Sequence, residues 1–570
     1  MGKIYMLYKW AISLTLFIGL IIFFFGLFAN ILGVDENNGW GLRRIAALEI
    51  GYLITAISSV LLIQRKSKHK ALDFAVILAI LQCLIIYLWY ESAGTMKIGD
   101  IWTSYYDLQA QAFLHGQLDL LEKPSPALLA LDDPYDPAQN ADVRLGDALL
   151  YKGRYYLYWG PFPGLILAGV KLFIHRTFND AFFVILFMGG YIVFMALTTM
   201  EIRRQFFPES QPWLLIPAIL VGGLMNPALW LLARPAIYEA AIAAGQCFLM
   251  AGMYFGLSEF KHRKIIHFNL IVCGFCLTGA VLSRINLAPA VVWVAICFGY
   301  LILKHSGRLN RAYKPLLAIG TPLIIGALLL FIYNYLRFNS PFETGVQYQL
   351  AGVYVKKYLD KGTLESPSYI VSNLYTYLFY PTTKIDEFPF VTSPWNPAAV
   401  WPIDPNIGYQ IIEPVAGLMI TSPILWLVVP FILFNTLKDH YMKITGNYIM
   451  VSPKATINVL PNIPWMTYLL VGLAIMAILP ISLPYTSTMR YIMDFAPALY
   501  LLAFMSVLQG YANLKHNRSG RIFTFCILVL SAVTIINGLL LGFTGYANYF
   551  LYHNPELFQT LAGVFSFLGH

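Results

Sequence analysis

The sequence predicts an all-α polytopic membrane protein, with about thirteen transmembrane helices and two long extracytoplasmic loops carrying short interfacial helices. Three observations predict it. Hydrophobic residues make up 58% of 570 and charged residues 12%, where soluble domains carry about 25% charge. Mean hydropathy is +0.64. Apolar runs of about 20 residues, each enough to cross about 30 Å of hydrocarbon, recur along the chain, and short basic loops alternate with them.

The apolar runs fall near 10–32, 46–63, 72–90, 180–200, 213–231, 238–258, 265–283, 286–304, 315–336, 414–435, 463–480, 490–510 and 521–542. The first is too long for a signal-peptide core and lacks a small-residue cleavage site, so it reads as a retained span. The segments QRKSKHK (64–70), EIRRQ (201–205), KHRK (261–264), KHSGRLNRAYK (304–314) and LKHNRSGR (514–521) all fall on one side of the count. That side is expected to be cytoplasmic, with the N-terminus inside and the C-terminus outside; Arg43 and Arg44 run against it. The net charge of +9 is therefore loop charge and no sign of nucleic-acid binding. All six cysteines lie in apolar runs, and Cys273 and Cys276 lack nearby His or acidic residues. They read as packing, with no metal site implied. The expected organisation is two N-terminal helices in 1–70, a catalytic membrane region in 71–545 and an extracytoplasmic tail in 546–570. No internal repeat is evident.

The outer loops, 91–179 and 337–412, hold the chemistry. The first carries ten acidic residues in its first 70 positions, among them Asp100, Asp107, Asp119 and Asp147. The second is rich in Pro, Tyr, Asn and Trp, a composition that argues against disorder. In SYYDLQAQAFLHGQLDL (104–120) a helix would stack Asp107, Gln111 and His115 on one face, with Gly116 as a stop. The plain alternative is a capping box of Ser104 with Asp107. In DALLYKGRYYLYWGPFPGLILAGVKLF (147–173), an extended segment precedes a helix begun by Pro161 or Pro163.

These pieces resemble the GT-C glycosyltransferases, multi-span enzymes that use polyprenyl-phosphate sugars and include the protein O-mannosyltransferases and lipid A aminoarabinose transferases. The likeness rests on the Asp107 helix closing on Gly116-Gln117-Leu118 and on the Pro161/Pro163 helix. LARPAIYEAA (232–241), LSRINLAP (282–289), YLRFNSPFETG (335–345) and MRYIMDFAP (489–497) complete it. Known members commonly carry Glu after the catalytic Asp; here Leu108 follows, so only the Asp is carried over.

The resemblance implies an inverting transfer of a sugar from a polyprenyl-phosphate donor to an acceptor hydroxyl on the extracytoplasmic face. Asp107 would be the general base, and no acid is needed because phosphate leaves as a stable anion. Donor phosphate would meet Arg234, Arg490, Arg284 or Arg337, single arginines at span ends on otherwise nearly uncharged outer turns, or Lys152 and Arg154 of the first loop. Arg234 and Arg490 are the preferred pair. Asp147, His115, Gln111, Tyr238 and Glu239 are candidates for the acceptor or sugar. The plain readings are snorkelling or ion pairing for the arginines, with Glu239 for Arg234 and Asp494 for Arg490, and a solvated hairpin tip for Lys152 and Arg154. No cofactor is required; acidic loops can hold a divalent cation, but no ligand spacing demands one. The expected partners are a polyprenyl-phosphate-linked sugar, a glycan, lipid or protein acceptor and membrane lipids, in a bacterial inner membrane. The rival readings are a transporter or flippase of a lipid-linked glycan, and a glycan polymerase or ligase.

Overall fold

The computed structural model describes residues 2–29, 41–63, 68–97, 103–260, 267–394, 409–411, 413–445, 462–514, 518–546 and 548–568. Asp100 lies outside them. The N-terminal helices α1 (Gly2–Phe28) and α2 (Leu42–Ile63) pack against each other, and α2 packs against α3 (Lys68–Glu91). Between apolar helices in lipid the hydrophobic effect offers little, so close backbone approach has to supply contact. Gly51 provides it: a Cβ there would stand 2.4 Å from the Phe23 amide nitrogen. Arg44, the residue at odds with the charge rule, donates from Nε to the Gly26 carbonyl at 2.8 Å and from Nη2 to the Leu27 carbonyl at 2.9 Å. It closes carbonyls that the end of α1 leaves without helical donors.

The first outer loop opens with α4 (Tyr105–Leu114), runs through the hairpin β1 (Leu149–Tyr151) and β2 (Arg154–Tyr156), and closes with α5 (Phe162–Lys171). Lys152 and Gly153 both take positive φ, as a two-residue hairpin turn requires. The following helices are α6 (Asp180–Phe206), α7 (Leu215–Leu224), α8 (Ile237–Glu259), α9 (His267–Ser283), α10 (Ala288–Ser306) and α11 (Leu309–Phe338). After the second outer loop come α12 (Val428–Thr445), α13 (Ile463–Ser482), α14 (Ala496–Leu514) and α15 (Arg518–Thr544). α8 is the most enclosed, packing on α6 and α9, and α9 packs in turn on α11.

Among the described residues nine helices are long and apolar enough to cross a membrane, against about thirteen runs in the sequence. The difference has local causes. The run at 213–231 stops as a helix at Leu224 and resumes only over Ala228–Leu232, because Pro227 lacks an N–H and disfavours α geometry before it. The run at 414–435 divides at Pro423 in the same way, and the run at 490–510 begins as a 3-10 segment, Met489–Asp494. The residues beyond Thr544 fold back: the Tyr549 hydroxyl donates to the Glu91 carbonyl at 2.7 Å, and Asn554 Nδ2 to the Ala93 carbonyl at 2.8 Å.

Candidate active site

The two outer loops meet edge to edge beside the start of α8. The Asp147 amide donates to the Leu350 carbonyl, the Leu350 amide to the Ala148 carbonyl, both at 2.9 Å, and Leu149 bridges Gln349. Asp147 sits at this seam with φ of 59°, a left-handed conformation that Asp tolerates better than most residues. From Nε2, Gln349 reaches Asp147 Oδ1 at 3.4 Å and the Tyr238 hydroxyl at 3.3 Å. The Asp147 side chain is partly exposed. Burial raises its pKa above the usual carboxylate range, against an opposing hydrogen bond from Tyr238 and the charges of Arg490, Arg234 and Arg144.

Tyr238 opens onto a cavity of about 270 Å³, whose walls include Tyr158, Tyr491, Arg284, Arg337 and Glu365. The Gly160 backbone forms one wall by lying against α9: a Cβ there would stand 1.9 Å from the Leu282 carbonyl oxygen. Only glycine lets the segment after β2 approach this closely.

The four span-end arginines divide into two kinds. Arg490 and the half-buried Arg234 lie in one cluster with two carboxylates: Glu413 is 3.3 Å from Arg234 and 2.9 Å from Arg490, and Glu239 is 3.5 Å from Arg490. Both guanidinium groups also stand over tyrosines, Tyr546 and Tyr238. Arg284 and Arg337 face the cavity itself. Arg284 is held by Asp494, with contacts of 2.6 to 2.8 Å. Arg337 is 6% exposed and meets neutral acceptors, the Leu157 carbonyl at 2.9 Å and Asn334 Oδ1 at 2.8 Å, with Tyr333 under its plane at 3.9 Å. Among the described residues no carboxylate is within ion-pair distance of Arg337, and its Nε has no hydrogen-bond partner. What sets Arg337 apart from the other three arginines is the lack of a carboxylate partner, and an unpaired guanidinium is suited to phosphate oxygens.

An apolar groove of about 600 Å³ between α9, α10 and α11 adjoins the cavity. Val281, Leu282, Ile285 and Leu330 line both. A cavity with charged walls thus adjoins an apolar trough along shared residues.

Asp107 has a different place from the expected one. It is 1% exposed and lines none of these cavities. Oδ1 takes hydrogen bonds from Lys171 Nζ at 2.6 Å and the Phe178 amide at 3.0 Å, and Oδ2 from Gln111 Nε2 at 2.6 Å. Lys171 also donates to the Arg176 carbonyl at 3.0 Å. With both oxygens engaged and water excluded, this carboxylate clamps the end of α5 to α4. The capping box is absent too, since Ser104 makes no side-chain cap. Asp180, at the start of α6, caps α4 instead, accepting from the Tyr105 and Tyr106 amides and the Thr103 hydroxyl.

The other candidates separate cleanly. Gln111 serves Asp107, and His115 is exposed with Nδ1 near the Gln111 carbonyl, so neither reaches the cavity. Lys152 is an exposed hairpin tip, and Arg154 is exposed beside Asp119 at 3.6 Å. Glu239 belongs to the arginine cluster. Glu365, Glu413 and Asp494 escaped assignment to the site from sequence. Asp494 was visible as a partner for a nearby arginine; nothing singles out the other two.

A scan against protein-family models finds no match, and a search of curated proteins finds none either. A search of solved structures finds the Archaeoglobus fulgidus oligosaccharyltransferase, solved with a tethered acceptor peptide containing the NVT sequon. It is 12% identical over 82% of this chain and 56% of that one, with a TM-score of 0.38; the chain spans little more than half its length. The search also finds ArnT from Cupriavidus metallidurans bound to undecaprenyl phosphate, 12% identical over 84% of this chain and 77% of that one, with a TM-score of 0.36.

Proposed function

We propose that the protein transfers a sugar from a polyprenyl-phosphate donor to an acceptor hydroxyl on the extracytoplasmic face, with inversion at the anomeric carbon. The observation that carries this reading is that the Arg337 cavity and the apolar groove lie side by side and share four wall residues. A phosphate-headed isoprenoid needs such a pair of surfaces, a cationic one for the head and a greasy one for the tail. As the acceptor oxygen bonds to the anomeric carbon, the bond from that carbon to the phosphate oxygen breaks and its electron pair leaves with the phosphate. Arg337, with Arg284 beside it, meets that growing negative charge.

Proton removal falls to Asp147 in this reading, and Asp107 is left to the scaffold. Asp147 is partly exposed, lies at the loop seam one residue, Gln349, away from the cavity tyrosine Tyr238, and has a pKa raised by burial, which suits a base. Tyr158, Tyr491 and Tyr238 would offer ring faces to the sugar.

The test is release of polyprenyl phosphate from a panel of sugar-loaded polyprenyl phosphates, followed against pH. The base must be ionised, so activity falls as pH drops through its raised pKa. The acid limb of kcat/KM should lie above about 4, the ordinary value for Asp. Asp147→Asn should abolish that limb and lower kcat by about 10²–10⁴-fold while donor binding persists. Unchanged turnover in Asp147→Asn would remove the base assignment, and outward flipping of donor with no release would favour the flippase instead.

A further inference from the structure

A second groove of about 440 Å³ lies on the opposite flank of α11, at the far end of the α9–α11 pair from the arginine cavity. Its walls are His267 and Ile271 of α9 with Lys314, Leu317, Ala318 and Pro322 of α11. His267 stands seventeen positions before Arg284 in the chain (284 − 267), about 25 Å along a helix at 1.5 Å per residue. On the topology read from the sequence, that places the groove at the other margin of the bilayer, on the side of the basic loops.

Its composition is ordered along its length. Two exposed basic residues, His267 and Lys314, stand at the mouth where α9 and α11 begin. Arg308 and Arg311, also exposed, precede them on the α11 side. Further in, the walls are mostly apolar, with Thr321 the one polar side chain there among the described residues; Ile271 is 47% and Leu317 57% exposed. Both face outward on helices of a chain read as membrane-spanning. Among the described residues no acidic one lines this groove. Pro315 and Pro322 lie inside α11, and prolines in a helix bend it away from a straight neighbour, which suits a hollow between two otherwise packed helices.

We infer that this groove binds an anionic phospholipid of the cytoplasmic-side leaflet, its phosphate at Lys314 and His267 and one acyl chain along Ile271, Leu317 and Ala318. Charge complementarity selects the occupant. A zwitterionic headgroup carries its own cation to a site that already holds two basic side chains. A phosphate without chains would leave the apolar walls uncovered. The site is separate from the donor chamber, at the other end of the same helices, and lies outside the transfer reaction.

Native mass spectrometry of the full chain released from nanodiscs with equal phosphatidylglycerol and phosphatidylcholine, matched in acyl chains, tests it. The intact protein should retain phosphatidylglycerol in preference, and Lys314→Ala should cut that preference about fivefold, the effect of one basic residue at a membrane surface. Leu317→Trp keeps every charge but fills the trough, and should cut retention of the bound lipid. Lys361→Ala, an exposed lysine of the second outer loop, should leave the preference unchanged. Equal retention of the two lipids, an unaltered preference in Lys314→Ala, or displacement by millimolar inorganic phosphate would each overturn the assignment.

Discussion

The two pairs of arginines teach more by their difference than either does alone. Arg234 and Arg490 share Glu239 and Glu413, so two positive charges meet two negative ones. Arg284 and Arg337 share a chamber with one ion-pairing carboxylate, Asp494, which Arg284 occupies. In one cluster every arginine has a carboxylate partner; in the other Arg337 has none within ion-pair distance among the described residues, although Glu365 also stands on the cavity wall. Buried charges are costly unless paired, so a buried arginine left with neutral acceptors marks the place where an anion is expected. Residue type identifies neither site, since both are Arg at a span end. The balance of charge around each arginine separates them.

The largest effect expected from this difference is at Arg337. Arg337→Ala should lower kcat by about 10²–10³-fold, the scale of removing a preorganised donor from a developing anion. Arg337→Lys should recover part of it, because an ammonium keeps the charge and loses the planar fork. Loss of donor affinity on titration with polyprenyl phosphate checks the same point. If both variants bind and turn over donor normally, the chamber is not the phosphate site and the comparison fails.

The neutral cluster should answer in stability instead. Glu413→Gln leaves Arg234 and Arg490 with only Glu239, and stranding a buried charge costs about 3–5 kcal/mol. A lower melting temperature of the detergent-purified protein should report it, with donor affinity unchanged below the melt. Tighter binding of polyprenyl phosphate in Glu413→Gln would show instead that these arginines can serve as an anion site once freed, and would erase the distinction.

Much of this layout was legible in the sequence. Runs of apolar residues located the helices, because a bilayer imposes a length that composition reveals. The scarcity of charge on the outer turns made four arginines conspicuous. Pairing was not legible. Glu413 is 179 residues from Arg234, Asp494 is 210 from Arg284, and Lys171 is 64 from Asp107; only helix packing brings such partners together. Nearest-neighbour reasoning therefore paired Arg234 with Glu239 and Arg490 with Asp494, where the fold pairs Arg234 with Glu413 and gives Asp494 to Arg284. The polar stripe of Asp107 and Gln111 was read from the helical period, and that contact exists. What the stripe faces was not encoded locally: a lysine at the end of α5 fills the space that an acceptor would need.

Asp107 and Lys171 supply the smallest effect, and it sharpens the rule. They form a balanced buried pair, 2.6 Å apart, that lines neither the arginine cavity nor the apolar groove. If balance marks scaffold, then removing both charges together should be tolerated where removing one is not. Replacing a buried pair by neutral groups of similar size is often close to neutral in stability. Asp107→Asn keeps a carbonyl oxygen for the Phe178 amide, and Lys171→Met keeps the length of the stem. The double variant should melt within about 1–2 kcal/mol of the native protein and retain its turnover, while Asp107→Asn alone strands the lysine and melts earlier. A double variant that folds, binds donor and fails to release polyprenyl phosphate would return the base to Asp107. The closed position of its carboxylate would then be a resting state that the acceptor opens.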